Sequence, residues 1–236
     1  HSDGVGWRIA GDKQFITGGR SADVAMIVAV TDPTAGKRGI TCFLAPTDNP
    51  GYQVVREEAK LGHRTNDTCA IHLEDMHVDA RTVLGDPGRG LGIALGHLSA
   101  GRIGVAAQAV GTARGAYDHA LAYARERETF GKPIMDHQAV AFLLADMATE
   151  IEVARQMYLH AARLEASGQS SIREASMAKL FASEMAERVC SKAIQIFGGY
   201  GFMSDYPVEK YYRDARVLQI YEGTSEVQKI VIARDL

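Results

Sequence analysis

The chain has 236 residues, 46% hydrophobic and 23% charged, with 24 glycines, a composition that excludes a disordered, collagenous or disulfide-stapled protein and suits one large or two modest domains. Its 26 Lys and Arg against 29 Asp and Glu leave a net charge of −3, which argues against a general nucleic-acid or membrane-surface binder but leaves room for a local pocket holding one phosphate. The cysteines Cys42, Cys69 and Cys190 form no CxxC pair and read as reduced thiols of an intracellular protein. No stretch approaches a membrane span, and an opening His1-Ser2-Asp3 without initiator Met or signal-peptide pattern points to a fragment of a longer chain.

From Trp7 to about Val78 the patterning is that of strands: Val24 to Val30, Gly39 to Pro46, Tyr52 to Val55, then Cys69, Ile71 and Leu73 alternating with polar neighbours. Gly11-Asp12, Asp32-Pro33, Asn49-Pro50-Gly51 and Gly62 supply turns too short for crossover helices, so the sheet is expected to be antiparallel. The alternation breaks at Glu74-Asp75 and resumes at Met76 and Val78, which predicts a bulge or bend.

After Gly85-Asp86-Pro87-Gly88 the period changes to about 3.6, placing a domain boundary between 1–86 and 87–236. Residues 90 to 127 form one long or broken helical segment, stopped by Gly131 and Pro133. A second helix runs from about His137 to Ala166, and a third opens at Ser171-Ile172-Arg173-Glu174, a capping-box pattern. Shorter helices near Val208 to Arg216 and from about Ser225 complete the chain. The predicted fold is α+β: an antiparallel β-sandwich or barrel-like domain followed by an antiparallel helical bundle.

Amphipathicity does not account for three segments of the helical half. Arg127-Glu128-Thr129-Phe130-Gly131-Lys132-Pro133 reads plainly as a helix C-terminus with Gly at C′. Gln195-Ile196-Phe197-Gly198-Gly199-Tyr200-Gly201 suits a helix end or a backbone that a ligand approaches closely. In Tyr221-Glu222-Gly223-Thr224-Ser225-Glu226-Val227-Gln228, Ser225 and Gln228 have capping-box spacing, so Glu222 could be an acid near a positive helix end. No metal site is expected: His72 and His77, five apart on a strand, should face opposite sides. Glu209, Arg213, Asp214 and Arg216 read as an ion-pair face.

Taken together, these segments resemble the acyl-CoA dehydrogenase family over essentially the whole chain. Tyr221 to Ser225 resembles its catalytic segment, Gln195 to Gly199 its flavin-side glycine segment, Arg127 to Gly131 its inter-subunit flavin contact, and Phe15-Ile16-Thr17 its aromatic-Ile-Thr segment beside the isoalloxazine. The resemblance implies residues 1–86 as a middle β-domain lacking its first part, 87–236 as the C-terminal helical domain, and FAD as cofactor. No strand-glycine-helix unit of the dinucleotide-binding kind exists, since Gly90-Leu91-Gly92 does not continue as GxGxxG. By the same resemblance Arg127 meets the pyrophosphate with Thr129 and Phe130 nearby, Gln138, Gln195, Gly198 and Gly199 reach across a subunit interface, Thr224 and Glu226 lie on the ADP side, and Phe15 and Thr17 lie against the flavin.

The implied reaction is α,β-dehydrogenation of an acyl-CoA to the trans-2-enoyl-CoA, Glu222 taking the α-proton while flavin N5 takes the β-hydride. A carboxylate suits this task when desolvated. Some members carry the base just before an Arg on the long helix; here that position is Gly101, which leaves Glu222 alone. Arg102 is the expected substrate-pocket arginine, with a surface salt bridge as its rival reading, and Tyr221 and Gly223 flank the substrate. The family's N-terminal helical domain and Thr-Glu-Pro type strand motif do not precede His1, and Gly18 replaces the usual Asn after Ile-Thr. The resemblance further implies an electron-transfer flavoprotein as acceptor, a homo-oligomer built as a dimer of dimers, and a cytoplasmic location, or the mitochondrial matrix in a eukaryote. Rival readings are an acyl-CoA oxidase using oxygen and a non-catalytic helical oligomerisation fragment.

Overall fold

Period-two patterning becomes antiparallel sheet in the computed structural model, which describes residues 4–236. Strands β1 (Gly6–Thr17), β2 (Val24–Val30), β3 (Ile40–Pro46), β4 (Tyr52–Glu57) and β5 (Thr68–Asp79) form a sheet of order β1-β5-β4 and a separate β2-β3 hairpin. With helix α1 (Gly90–Gly96) they make one compact unit that runs to His97; a second begins at Leu98. Phe43, Leu73, Met76, Ile71 and Val78 fill the core of the strand unit, and Trp7 packs edge-on to Phe43 at 5.6 Å. Gly90 lets α1 begin against β3, because a Cβ there would lie 2.5 Å from the Thr41 carbonyl carbon.

The bulge expected at Glu74-Asp75 is present. Ile9 pairs with Met76 and Gly11 with Leu73, so Glu74 and Asp75 together face Ala10, with Asp75 at φ 44. The extra residue resets the alternation: Ile71 and Leu73 before it and Met76 and Val78 after it are all buried. It also corrects the expectation for the two histidines. His72 and His77 share the outward face rather than opposite ones, and His72 meets Asp12 of β1 at 2.7 Å. Among the described residues no cluster of His, Cys, Asp or Glu could hold a metal.

The helical unit comprises α2 (Leu98–Glu126), α3 (Gln138–Ala166), α4 (Ile172–Phe197), α5 (Val208–Ala215) and α6 (Ser225–Ala233). The segment predicted from residue 90 is broken at His97. Helix α4 is the central element and packs most extensively on α2, where rows of buried alanines (Ala106, Ala109 and Ala113 on α2; Ala178, Ala182 and Ala186 on α4) let the backbones approach. Larger side chains such as Met147, Met185, Val189 and Leu218 fill the remaining core, each contributing about 1.5–3 kcal/mol through burial. Glu150 of α3 ties to α4 through Arg188 and Lys192 at 3.0 and 2.9 Å. Burial raises its carboxyl pKa, but those two cations more than offset it and hold it below the usual carboxylate range. Among the described residues no helix is long and apolar enough to cross a membrane.

Three helix ends differ from their sequence signals. Helix α2 stops at Glu126, and Gly131 is not its C′ residue: strands β6 (Glu128–Thr129) and β7 (Lys132–Pro133) form a small hairpin turned by Phe130 and Gly131 at φ 52 and 78, the paired left-handed residues that a tight hairpin demands. Ser171 precedes α4 but caps nothing with its side chain, because its hydroxyl donates to the Glu165 carboxylate. Thr224, one residue earlier than expected, caps α6 by accepting from the Val227 N–H. This leaves Ser225 inside the helix and frees Gln228 for the preceding turn.

Candidate active site

After α5 a short 3-10 turn, Arg216–Gln219, is anchored by the fully buried Leu218. Tyr221 packs on the bundle core and its hydroxyl donates to Gln108 Oε1 of α2 at 2.5 Å. Burial pushes its phenol pKa up. Two left-handed residues then reverse the chain, Glu222 at φ 53 and Gly223 at φ 90, before the Thr224 cap. A non-glycine residue in that region costs about 1–2 kcal/mol, so the surroundings must hold it there. They do so through the carbonyls. Gln228 Nε2 donates to the Glu222 and Gly223 carbonyls at 3.1 and 2.9 Å, and Lys179 Nζ of α4 donates to the Gly223 carbonyl at 2.6 Å.

This turn lays the Glu222 carboxylate over Gly101 of α2, where a Cβ would lie 2.7 Å from Oε2. Glycine at 101 is therefore the space the carboxylate occupies. Glu222 itself is exposed, so any desolvation must come from what binds beside it. Arg102, the next residue of α2, is 6% exposed and donates through Nη1 to Ser176 Oγ of α4 at 3.1 Å. That burial removes its surface salt-bridge reading. Burial lowers its proton affinity and the charge of Glu222 raises it, with burial the larger effect. Among the described residues, the buried polar atoms without a partner are Arg102 Nε, Ser225 Oγ and Gln228 Oε1. Two of them, Arg102 Nε and Gln228 Oε1, belong to side chains engaged with this turn or its neighbours.

Sequence reasoning missed Lys179, Ser176 and Gln108. Lys179 is fully buried, and its pKa falls to about 8, through burial first and then the neighbouring Arg102. Glu226, expected on the ADP side with Thr224, lies exposed in the first turn of α6, its carboxyl held below the usual range by its own backbone N–H and the Thr224 hydroxyl.

A second locus lies at the hairpin. Arg127, Thr129, Gly198 and Gly199, four of the residues expected around FAD, line one cavity of about 430 Å³ together with Tyr123 and Phe197, which stack at 4.2 Å. Gly198 has φ 63 and ψ −137, a conformation reserved for glycine. Gly201 is required sterically, since a Cβ would lie 2.6 Å from the Ile194 carbonyl oxygen. At Gly199 a Cβ would touch nothing within 4 Å, so the chain's own packing does not demand glycine there. The Arg127 guanidinium is exposed and has no carboxylate partner among the described residues. A free cation beside an open glycine floor fits an anionic ligand such as a pyrophosphate. Thr129 shares a 3.1 Å hydrogen bond with His137, and Phe130, 97% exposed, stands edge-on to that histidine. Gln138 and Gln195 are exposed but do not line the cavity.

Phe15 and Thr17 belong to the strand unit. Lys13 pairs with Ile71 and Ile16 with Cys69, so Gln14 and Phe15 together face Ala70, and Phe15 takes φ 59. The second bulge turns the ring out, 70% exposed, two residues before an exposed Thr17 whose hydroxyl has no partner among the described residues. Gly18 follows at φ 71, a conformation that asparagine tolerates next best after glycine.

A family model described as acyl-CoA dehydrogenase, C-terminal domain, matches residues 88–236, and one described as acyl-CoA dehydrogenase, middle domain, matches residues 1–76. An acyl-CoA dehydrogenase of Bacillus subtilis is 46% identical over 96% of the chain, which covers 60% of that protein. The butyryl-CoA dehydrogenase structure of Megasphaera elsdenii superposes with a TM-score of 0.96 at 42% identity, over 100% of this chain and 61% of that one. A chain in a structure described as the electron transferring flavoprotein of Acidaminococcus fermentans superposes with a TM-score of 0.97 at 45% identity, covering 99% of this chain and 62% of that chain.

Proposed function

The chain belongs to the acyl-CoA dehydrogenase family, and from that membership we propose that the protein carrying it removes two hydrogens from an acyl-CoA thioester, with Glu222 as the base. The observation that carries this reading is the left-handed Glu222-Gly223 turn, which spends conformational energy to lay a carboxylate over the Gly101 gap. The α-proton of a thioester passes to the Glu222 carboxylate while the β-hydrogen leaves as hydride, which yields the trans-enoyl-CoA. When bound, FAD supplies the hydride acceptor. The fold alone leaves that carboxylate exposed, so water must be excluded from it by what binds beside it.

Arg127, Thr129, Gly198 and Gly199 would hold the pyrophosphate end of the cofactor, Thr224 and Glu226 its ADP side, and Phe15 and Thr17 the ring. Arg102, Tyr221 and Gly223 would border the acyl-CoA. Gln138 and Gln195, exposed in a single copy, would act across a subunit interface. Exposed apolar side chains on or beside the helices, Phe142, Val153, Ile172, Tyr200, Phe202 and Ile230, suit a homo-oligomer. An electron-transfer flavoprotein as acceptor draws support from the Acidaminococcus likeness.

The test is Glu222→Gln in the flavin-loaded protein, mixed anaerobically with a panel of straight and branched acyl-CoAs. The variant should retain flavin and bind acyl-CoA, yet bleach the flavin at least ~10²–10⁴-fold more slowly, as loss of a general base requires. Bleaching at the wild-type rate would place the base elsewhere.

A further inference from the structure

A lysine in the middle of a buried helix face needs a reason. Lys179 is fully buried, an environment in which Lys is almost never found without a partner, and a methionine of similar length would fill the space without removing a charge from water. The neighbouring Arg102 makes matters worse, adding a second cation nearby. Among the described residues the hydrogen bond its ammonium makes goes to a main-chain oxygen, the Gly223 carbonyl, at 2.6 Å. Starting α6 does not require this bond. The Thr224 hydroxyl already caps the helix, and Gln228 already donates to both the Glu222 and Gly223 carbonyls.

The same helix face explains the arrangement. Ser176 and Lys179, three residues apart, lie side by side on α4. Ser176 takes the guanidinium of Arg102 from α2, and Lys179 takes the carbonyl that follows Glu222. One surface of α4 therefore braces both neighbours of the Glu222 carboxylate.

We propose that Lys179 is a positioning residue, whose ammonium clamps the Gly223 carbonyl and holds the left-handed Glu222-Gly223 turn in the geometry that aims the Glu222 carboxylate over Gly101. The inference rests on the reading of Glu222 as the base. The charged groups that act on the ammonium are Arg102 from α2, Glu222 from the turn, Glu184 from its own helix and Glu226 from α6. Together with burial they leave the lysine titrating at about 8. Above that pH the clamp is a neutral amine and a weaker donor, so turnover should fall while substrate affinity holds.

The experiment compares wild type, Lys179→Met, Lys179→Gln and Glu222→Gln, all flavin-loaded, by rapid-mixing flavin reduction at saturating acyl-CoA across pH, with acyl-CoA affinity measured separately. Lys179→Met should slow reduction about 10–100-fold at neutral pH, the cost of a misaimed reacting group. Acyl-CoA affinity and flavin content should be unchanged. The alkaline fall expected of wild type near pH 8 should be missing from both lysine variants, with Lys179→Gln reacting at an intermediate rate. Wild-type rates in the lysine variants, an alkaline fall that persists in them, or a loss of rate matched by loss of flavin would each overturn the proposal. If Lys179→Met does not accumulate as folded protein, Lys179→Gln and the wild-type pH profile decide. A Glu222→Gln variant that reduces flavin normally sinks the base assignment. An inactive Glu222→Gln beside normal lysine variants sinks the positioning role alone.

Discussion

Gly101→Ala tests whether the carboxylate position over α2 is the reactive one. A Cβ at 101 would lie 2.7 Å from Glu222 Oε2, against the 3.4 Å of ordinary contact, so the carboxylate must move by about 0.7 Å. Because the atom it meets is the end of an exposed, flexible side chain, the fold need not resist. Replacing glycine inside a helix should even add about 0.5–1 kcal/mol of stability. Chemistry is less forgiving: a misplacement of that size costs up to about 10²-fold in rate. The paired control is Gly104→Ala, one turn along the same helix, where a Cβ would meet nothing within 4 Å. Stopped-flow flavin bleaching with saturating acyl-CoA, beside thermal melts, should show Gly101→Ala slowed 10–100-fold with its melting temperature unchanged or raised, and Gly104→Ala unaffected in rate. Equal rates for the two variants would refute the argument that Gly101 exists to admit the carboxylate.

Arg127→Ala should weaken flavin binding by about 1.5–3 kcal/mol, ten- to a hundredfold, as expected for a lost charge-assisted phosphate contact; unchanged flavin content at limiting FAD would count against it. Light scattering should find an oligomer at micromolar concentration, and a monomer would remove the interface reading of the exposed apolar side chains. The depressed Lys179 pKa also carries a stability signature. Between about 8 and the unfolded value of 10.5 the unfolded chain binds the proton that the folded one has lost, so stability rises with pH through that window. In Lys179→Met this rise should be missing, and melts from neutral to alkaline pH that run parallel for variant and wild type would contradict it.

Strands and long helices were legible because burial imposes a period, and the Glu74-Asp75 bulge announced itself where the period slipped. Element ends were not, because their signals are shared. Gly131 followed by Pro133 is the signature of a helix stop, yet the left-handed conformation that favours glycine at C′ is the same one a tight hairpin needs, and Phe130 had to adopt it too. The Ser171 pattern failed for a different reason: its hydroxyl had a better acceptor in Glu165, at the end of the previous helix, which only the folded chain brings close. At α6 the hydroxyl one residue earlier, on Thr224, reached the free N–H instead. The histidine expectation failed because it counted alternation straight through a bulge that the same sequence had already marked.

Glu222 was legible only through resemblance, since by itself an acid two residues before a helix cap has an ordinary electrostatic explanation. The structure adds an observation that the capping explanation does not call for, a carboxylate laid over Gly101 of α2 by a turn in which Glu222 is left-handed. Lys179 was passed over although a signal existed. It falls on the apolar stripe of α4, four residues after Ala175 and three before Ala182, both fully buried. A long charged side chain at such a position either snorkels to the surface or meets a fixed polar group inside. At the centre of that stripe the second alternative could have been inferred. Its partner could not: the Gly223 carbonyl lies 44 residues away in sequence, and no pattern in the residues between them encodes that approach.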